Sequence, residues 1–270
     1  MNISEPRMRR RRWSLGAVAA AGLLVCGCST VGSTSSSPTV PAPARGSITV
    51  AAASSLSKVF PALARGFEKV HHGATITFDF GSSGTLATSI SAGAPADVFA
   101  SAALSSMAPL VSAGLVAGRS IPFASNALEI ITKPGNPLGI HALSDLVKAK
   151  VVALCVVTAP CGATAQAALS KAGVHLPEGQ VTVAPDVDTT AAAVTTGDAD
   201  AAIVYVTNAR SETGHAQGVP IPKKENVVTT YPIAVMAASQ NKSLAKAWVT
   251  YVQSPIGQAA LHSAGFSPAA

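Results

Sequence analysis

Phe80-Gly81-Ser82-Ser83-Gly84-Thr85-Leu86-Ala87-Thr88-Ser89-Ile90-Ser91-Ala92-Gly93-Ala94-Pro95-Ala96-Asp97-Val98-Phe99-Ala100-Ser101-Ala102 reads as a strand end, a Gly/Ser loop, one short helix and a new strand. Leu86 and Ile90 fall four apart on one helical face. Gly93 supplies a C-terminal stop, and Pro95 keeps the helix from resuming. Ser82, Ser83, Gly84 and Thr85 then surround a helix N-terminus, whose unpaired N–H groups carry partial positive charge. With hydroxyls there and no Lys or Arg nearby, the stretch suits a small anion held by neutral dipoles. Serine is also a common N-cap, so the stretch alone fits an ordinary helix start equally well.

Outward from it, the arrangement recurs. Ser47 to Ala53 is a short strand, and Ser54-Ser55-Leu56 opens a helical pattern with Leu56, Val59, Phe60, Leu63 and Phe67 on one face. Pro61 either bends that helix or marks a second start. Thr75 to Phe80 and Asp97 to Ala100 are strands, Ser105 to Ala113 a helix, and Asn126 to Thr132 a strand stopped by Lys133-Pro134-Gly135. Leu143 to Lys148 is a short helix. Val151 to Val157 is a strand whose exit, Thr158-Ala159-Pro160-Cys161-Gly162, enters a helix ending near Gly173. Val181 to Ala184 leads to a fourth such turn at Asp186 to Thr190, and Ala201 to Tyr205 is a strand closed by a tyrosine. Val227 to Thr230 and Ile233 to Ala237 read as two strands, followed by helices over Ser243 to Val252 and Pro255 to Ser263. Alternating strands and helices predict an α/β fold with parallel sheets. Ligands of such sheets gather at the carboxyl ends of strands, where all four turns and Tyr205 lie.

Of the 270 residues, 48% are hydrophobic, 4% aromatic and 12% charged, which suits buried strands rich in Ala, Val and Ile. The formal charge of +6 comes mostly from Arg7 and Arg9 to Arg12, so no basic patch remains to argue for nucleic acid. Those arginines precede an apolar run, Trp13 to Val25, too short to span a bilayer: an export signal, by the general or the twin-arginine route. Leu24-Val25-Cys26-Gly27-Cys28 resembles a lipobox, which implies a chain that starts at Cys28 and is held to the membrane by acyl chains there. Cys26 is the weaker alternative, because Val25 is a poor residue before the cut. Ser29 to Gly46, rich in Ser, Thr and Pro, is expected to be a tether.

Several motifs together are similar to those of the periplasmic molybdate-binding proteins, which capture substrate for ABC transporters. They are Thr49-Val50-Ala51-Ala52-Ala53-Ser54-Ser55-Leu56, Ser82-Ser83-Gly84-Thr85-Leu86-Ala87 and Ala92-Gly93-Ala94-Pro95-Ala96-Asp97-Val98-Phe99. Pro160-Cys161-Gly162, Ile203-Val204-Tyr205, Tyr231-Pro232-Ile233-Ala234-Val235 and Gly265-Phe266 follow, so the resemblance spans residues 47–268. It implies a type II periplasmic-binding-protein fold of two lobes joined by two crossing strands. One lobe would be 47–125 with 232–270, and the other 126–231. It further implies an oxyanion held by the hydroxyls of Ser55, Ser83 and Tyr205 and the backbone N–H groups of Cys161 and Thr189. Cys161 stands where a small residue such as Ala is usual, and Pro185-Asp186-Val187-Asp188-Thr189 departs from the usual acidic residue followed by Asp-Val. The implied ligands are molybdate and tungstate, with sulfate as the alternative. The implied partners are a membrane permease and an ATPase, with the protein itself a monomer and no cofactor.

Cys155 and Cys161 lie six apart in an exported chain, which permits either a disulfide or two separate thiols. Too few Cys and His stand at ligand spacing for zinc. His71-His72 reads as a solvated helix end, and Asp186, Asp188, Asp198 and Asp200 as turn and cap residues. A serine hydrolase using Ser55 or Ser83 is the alternative of another class. It lacks a Gly-x-Ser-x-Gly elbow and a histidine placed as base.

Overall fold

The structure is a computed structural model that describes residues 45–269; the signal segment, Cys28 and nearly all of the tether lie outside the described residues. The first part of the chain runs β1 (Gly46–Ala53), α1 (Phe60–Val70), β2 (Ala74–Gly81), α2 (Ser83–Ser91), β3 (Val98–Ala100) and α3 (Leu104–Ser112). β4 (Ile121–Thr132) follows, then β5 (Val152–Cys155), α4 (Pro160–Ala172), β6 (Val181–Ala184), α5 (Val187–Thr195) and β7 (Ala201–Tyr205). α6 (Val206–Ser211), β8 (Gln217–Pro220), β9 (Val228–Val235), α7 (Lys242–Gln253) and α8 (Pro255–Ser263) complete it.

The nine strands form a path β2-β1-β3-β9-β4-β7-β5-β6, with β8 paired to β4 off the path. At one end β1 pairs in parallel with β2 and β3; at the other β5 pairs in parallel with β6 and β7. Between them every pairing is antiparallel. β4 is the shared strand: Ile121 to Ala127 pairs with β9, and Leu128 to Thr132 pairs with β7. The parallel halves arise as expected from strand–helix alternation, and the antiparallel centre arises from the two strands that cross between them.

Local chemistry explains most element ends. Pro61 falls in the first turn of α1, where its missing N–H costs nothing, and a separate 3-10 turn covers Ser54–Leu56. It therefore marks a second start. Gly173 takes φ 67° just past α4, a left-handed cap that glycine adopts without strain. Pro232 interrupts nothing: Val228–Val235 is one strand where two were expected. Its carbonyl accepts from Ser101 N at 2.9 Å, one step past the last β3 pair, Ala100 with Ile233, so its missing N–H falls where that ladder ends.

β1 and β7 are buried along most of their length, in keeping with their Ala and Val content. α1 and α7 cover β1 and β2 with an aromatic cluster in which Trp248 meets Phe60 edge-on at 5.5 Å and Phe67 at 5.6 Å. Each of these buried rings contributes about 1.5–3 kcal/mol by leaving water. This packing holds the carboxyl ends of β1 and β2 in fixed positions. Among the described residues no helix is long and apolar enough to cross a membrane.

Candidate functional site

Four strand ends deliver four helix starts to one place. After β1 the 3-10 turn Ser54–Leu56 follows Ala53, with no side-chain cap. After β2, α2 begins at Ser83, also without a side-chain cap, and its first helical bond is Leu86 N to Ser82 O at 2.9 Å. The N–H groups of Ser83, Gly84 and Thr85 thus have no intrahelical acceptor. After β5, Pro160 opens α4 and the first helical bond is Ala163 N to Ala159 O at 3.0 Å, which leaves the N–H groups of Cys161 and Gly162. After β6, Asp186 caps α5: its Oδ1 accepts Thr189 N at 2.9 Å and its carbonyl accepts Thr190 N at 3.0 Å. Val187 and Asp188 keep their N–H groups.

These turns and Tyr205 line one small cavity. Ala53, Ser54, Ser55, Gly81, Ser82, Ser83 and Ala102 form one wall; Ala159, Pro160, Cys161, Asp186, Val187 and Tyr205 form the other. With the walls as they stand the space between them is small, no more than that of about one water molecule. The walls touch: a Cβ built on Gly84 would lie 2.5 Å from the Thr158 carbonyl oxygen. No Lys, Arg or His lines the cavity.

Both serine hydroxyls already accept or exchange a bond behind the cavity. Ser83 Oγ, 1% exposed, accepts Ala102 N–H at 2.9 Å, so its own proton is free for another acceptor. Ser55 Oγ lies 2.9 Å from Tyr231 Oη, and Asn126 Nδ2 reaches the same Oη at 3.4 Å. Burial pushes the pKa of Tyr231 above the ordinary phenol range, so it stays protonated. The buried Tyr205 hydroxyl has no hydrogen-bond partner among the described residues. Burial, reinforced by neighbouring Tyr231, pushes its pKa well up; Thr164 opposes this weakly, its own hydroxyl being given to Pro160 O at 2.6 Å. An unpartnered buried hydroxyl costs about 1–3 kcal/mol, which a ligand accepting from it would recover.

Cys155 and Cys161 are joined by a disulfide with S–S 2.06 Å, which ties the end of β5 to the first turn of α4. Gly162 packs against this tie, for a Cβ there would meet the carbonyls of Val156 and Cys155. Asp188 crosses between the walls: its Oδ2 accepts from Ser57 Oγ at 2.7 Å and its Oδ1 from Asn208 Nδ2 at 2.7 Å. Burial raises its pKa, and those two hydrogen bonds pull it back.

Of the five residues the resemblance assigns to the ligand, the structure brings together Ser55, Ser83, Cys161 and Tyr205. Thr189 is not among them. Its N–H is taken by the Asp186 cap, and the residue is exposed in a separate open groove of ≈ 510 Å³ along edge strand β6. Val187, two residues earlier, lines the cavity instead. The signal was present as Asp186-Val187, but a second aspartate, Asp188, hides which one caps the helix. Tyr231, Asn126 and Ala102, which orient the serines, were not assigned roles from sequence; only Tyr231-Pro232 stood out there as a motif. Among the described residues there is no group of three or more His, Cys, Asp or Glu able to hold a metal ion.

A donor-lined pocket between two walls, at the carboxyl ends of parallel strands and with no histidine beside its serines, is suited to hold a small solute. The chain belongs to the bacterial extracellular solute-binding proteins, whose family model matches residues 48–267. The molybdate-binding protein ModA of Mycobacterium tuberculosis is 36% identical over 263 residues, 95% of this chain and 99% of that protein. The Bacillus subtilis protein YvgL, described as a putative ABC transporter substrate-binding lipoprotein, is 28% identical over 92% of this chain and 94% of its own. The periplasmic molybdate-binding protein of Azotobacter vinelandii shares the fold, with a TM-score of 0.74 at 20% identity over 81% of this chain and 98% of that one. The architecture is thus the two-lobed periplasmic-binding-protein fold, type II.

Proposed function

We propose that this protein binds molybdate, and tungstate as its close analogue, outside the cytoplasm and delivers it to the permease and ATPase of an ABC importer. The observation that carries the reading is the small cavity lined by hydroxyls and free helix N-termini, with no Lys or Arg. Such a lining offers donors and no cation to a doubly negative oxyanion, its one carboxylate, Asp186, being engaged as the cap that accepts Thr189 N–H. The similarity to molybdate-binding proteins names the candidate. The proposed ligands are the hydroxyls of Ser55, Ser83 and Tyr205 and the N–H groups of Cys161 and Val187. The same serines need no base for this task, so capture without hydrolysis is the reading. The lobes 47–125 with 232–270, and 126–231, close on the anion as a hinge whose closed form the importer recognises. The protein acts as a monomer without a cofactor, anchored through acyl chains on Cys28; the likeness to a protein described as a lipoprotein supports the anchor.

Calorimetry with molybdate, tungstate, sulfate and phosphate tests this reading. Molybdate and tungstate are expected to bind, and phosphate, which carries a proton near neutral pH, is expected not to. Heat from phosphate with none from molybdate refutes it; sulfate binding tighter than molybdate moves the assignment to the smaller oxyanion.

A further inference from the structure

The hydroxyl of Ser55 is held from behind by side chains whose donor and acceptor roles can be counted. Asn126, 1% exposed, is locked at one end because its Oδ1 accepts Ala127 N–H at 3.1 Å. Its Nδ2 therefore faces two oxygens, donating to Thr207 Oγ1 at 2.9 Å and to Tyr231 Oη at 3.4 Å. Tyr231 Oη receives that proton and has its own to give; Ser55 Oγ stands 2.9 Å away. The opposite sense would turn the Tyr231 proton onto the amide hydrogens of Asn126, donor against donor. The far end agrees. Thr207 Oγ1 lies 3.5 Å from Asn208 Oδ1, and Asn208 Nδ2 donates to the acceptor-only carboxylate of Asp188 at 2.7 Å. Tyr231, Asn126 and Ser55 are all buried, where a reversed bond has no water to fall back on.

We propose that Asn126 and Tyr231 are specificity-determining positioning residues: their one-way hydrogen-bond chain holds Ser55 as a donor to the pocket and so selects fully ionised oxyanions over protonated ones. The proposal rests on the reading of the pocket as an oxyanion site. With the Tyr231 proton on its oxygen, Ser55 has its own proton to give to the ligand. To meet a ligand O–H with a lone pair instead, Ser55 would have to turn its own proton out of the pocket, and behind it the Tyr231 hydroxyl offers a proton and no acceptor to receive it. Ser83, whose oxygen is met by the Ala102 N–H, is biased the same way by the backbone.

The decisive variant is Asn126→Asp, which keeps the acceptor for Ala127 N–H and replaces the amide hydrogens by a second acceptor. Tyr231 then donates to residue 126, Ser55 donates to Tyr231, and a Ser55 lone pair faces the pocket. Binding is measured at mildly alkaline pH for molybdate and for phosphate, both then dianions, so the added buried charge weakens both alike. The molybdate-to-phosphate affinity ratio is expected to narrow about tenfold or more, with phosphate gaining relative to molybdate. An unchanged ratio overturns the proposal. Should Asn126→Asp fail to fold, Tyr231→Phe serves: it keeps the ring but removes the proton that faces Ser55 from behind. The molybdate-to-phosphate affinity ratio is then expected to narrow severalfold, at a melting temperature lowered by the loss of a buried, hydrogen-bonded hydroxyl. An unchanged ratio in a folded Tyr231→Phe overturns the proposal as well. A parent protein that binds sulfate and not molybdate refutes the assignment of the ligand, and the ratio test then runs on sulfate against phosphate.

Discussion

The two walls of the pocket are built from different chemistry. The wall at the ends of β1 and β2 presents side chains, Ser55 and Ser83, each oriented by a group behind it. The wall at the ends of β5 and β6 presents main chain at Cys161 and Val187, fixed by a disulfide and by the Asp186 cap, with the Tyr205 hydroxyl beside it. Deleting one atom can erase a donor from the first wall. A backbone N–H survives almost any substitution, so the second wall yields only to changes that move the chain. A backbone donor tolerates a cysteine at 161, where the resemblance leads one to expect alanine, whereas at 55 and 83 the donor is the side chain itself.

The largest expected effect comes from keeping the walls apart. Gly84→Ala places a methyl 2.5 Å from the Thr158 carbonyl oxygen, so α2 and the β5–α4 turn cannot approach as they do. Molybdate affinity is expected to fall by about a hundredfold or more, because the methyl meets a backbone carbonyl and not a side chain that could swing aside. Unchanged affinity by calorimetry would mean that wall contact plays no part in binding.

Next come the side-chain donors. Ser55→Ala and Ser83→Ala each delete a hydrogen bond to a charged, desolvated ligand, worth about 1.5–3 kcal/mol or roughly ten- to a hundredfold in affinity. If both variants titrate like the parent, the first wall is not part of the site. Tyr205→Phe separates binding from stability. Affinity is expected to drop about tenfold, yet the melt should hold or rise, because the variant removes a buried hydroxyl that has no partner. A lower melting temperature would show that the hydroxyl is satisfied in the unliganded protein.

The smallest effect belongs to the second wall. Cys155→Ala and Cys161→Ala leave its N–H groups in place and remove only the tie, so both are expected to lose severalfold in affinity and to match each other. A large loss confined to Cys161→Ala would assign that side chain a direct role.

The sequence carried the parallel halves clearly, because strand, polar turn and amphipathic helix repeat with regular punctuation. It carried the centre poorly. β4 was read from Asn126 onward because Pro122 and the irregular register between Pro122 and Ala124 break the alternation of its first half. β8 contains Gly218 and Pro220, turn formers that here fill a short strand at the side of β4, and α6 is only six residues long, too short for a helical period to show. In the site, the serines and Tyr205 were legible because side-chain chemistry is written in residue type. Backbone donors are not: Val187 and Thr189 differ only in where the helix begins, which Asp186 decides through a cap. The orienting residues escaped for a related reason. Asn126 and Ala102 are far from Ser55 and Ser83 in sequence, and only the crossing of β4 with β9 and the turn after β3 bring them near.

The disulfide at the mouth of α4 also sets a time and a place. Cysteine pairs stay reduced in the cytoplasm and close in oxidising surroundings. The β5–α4 turn of a newly made chain is therefore finished only after it leaves the cell interior. A precursor still inside the cell carries an untied second wall, and the covalent bond that completes this wall is a mark of the chain's having reached oxidising surroundings.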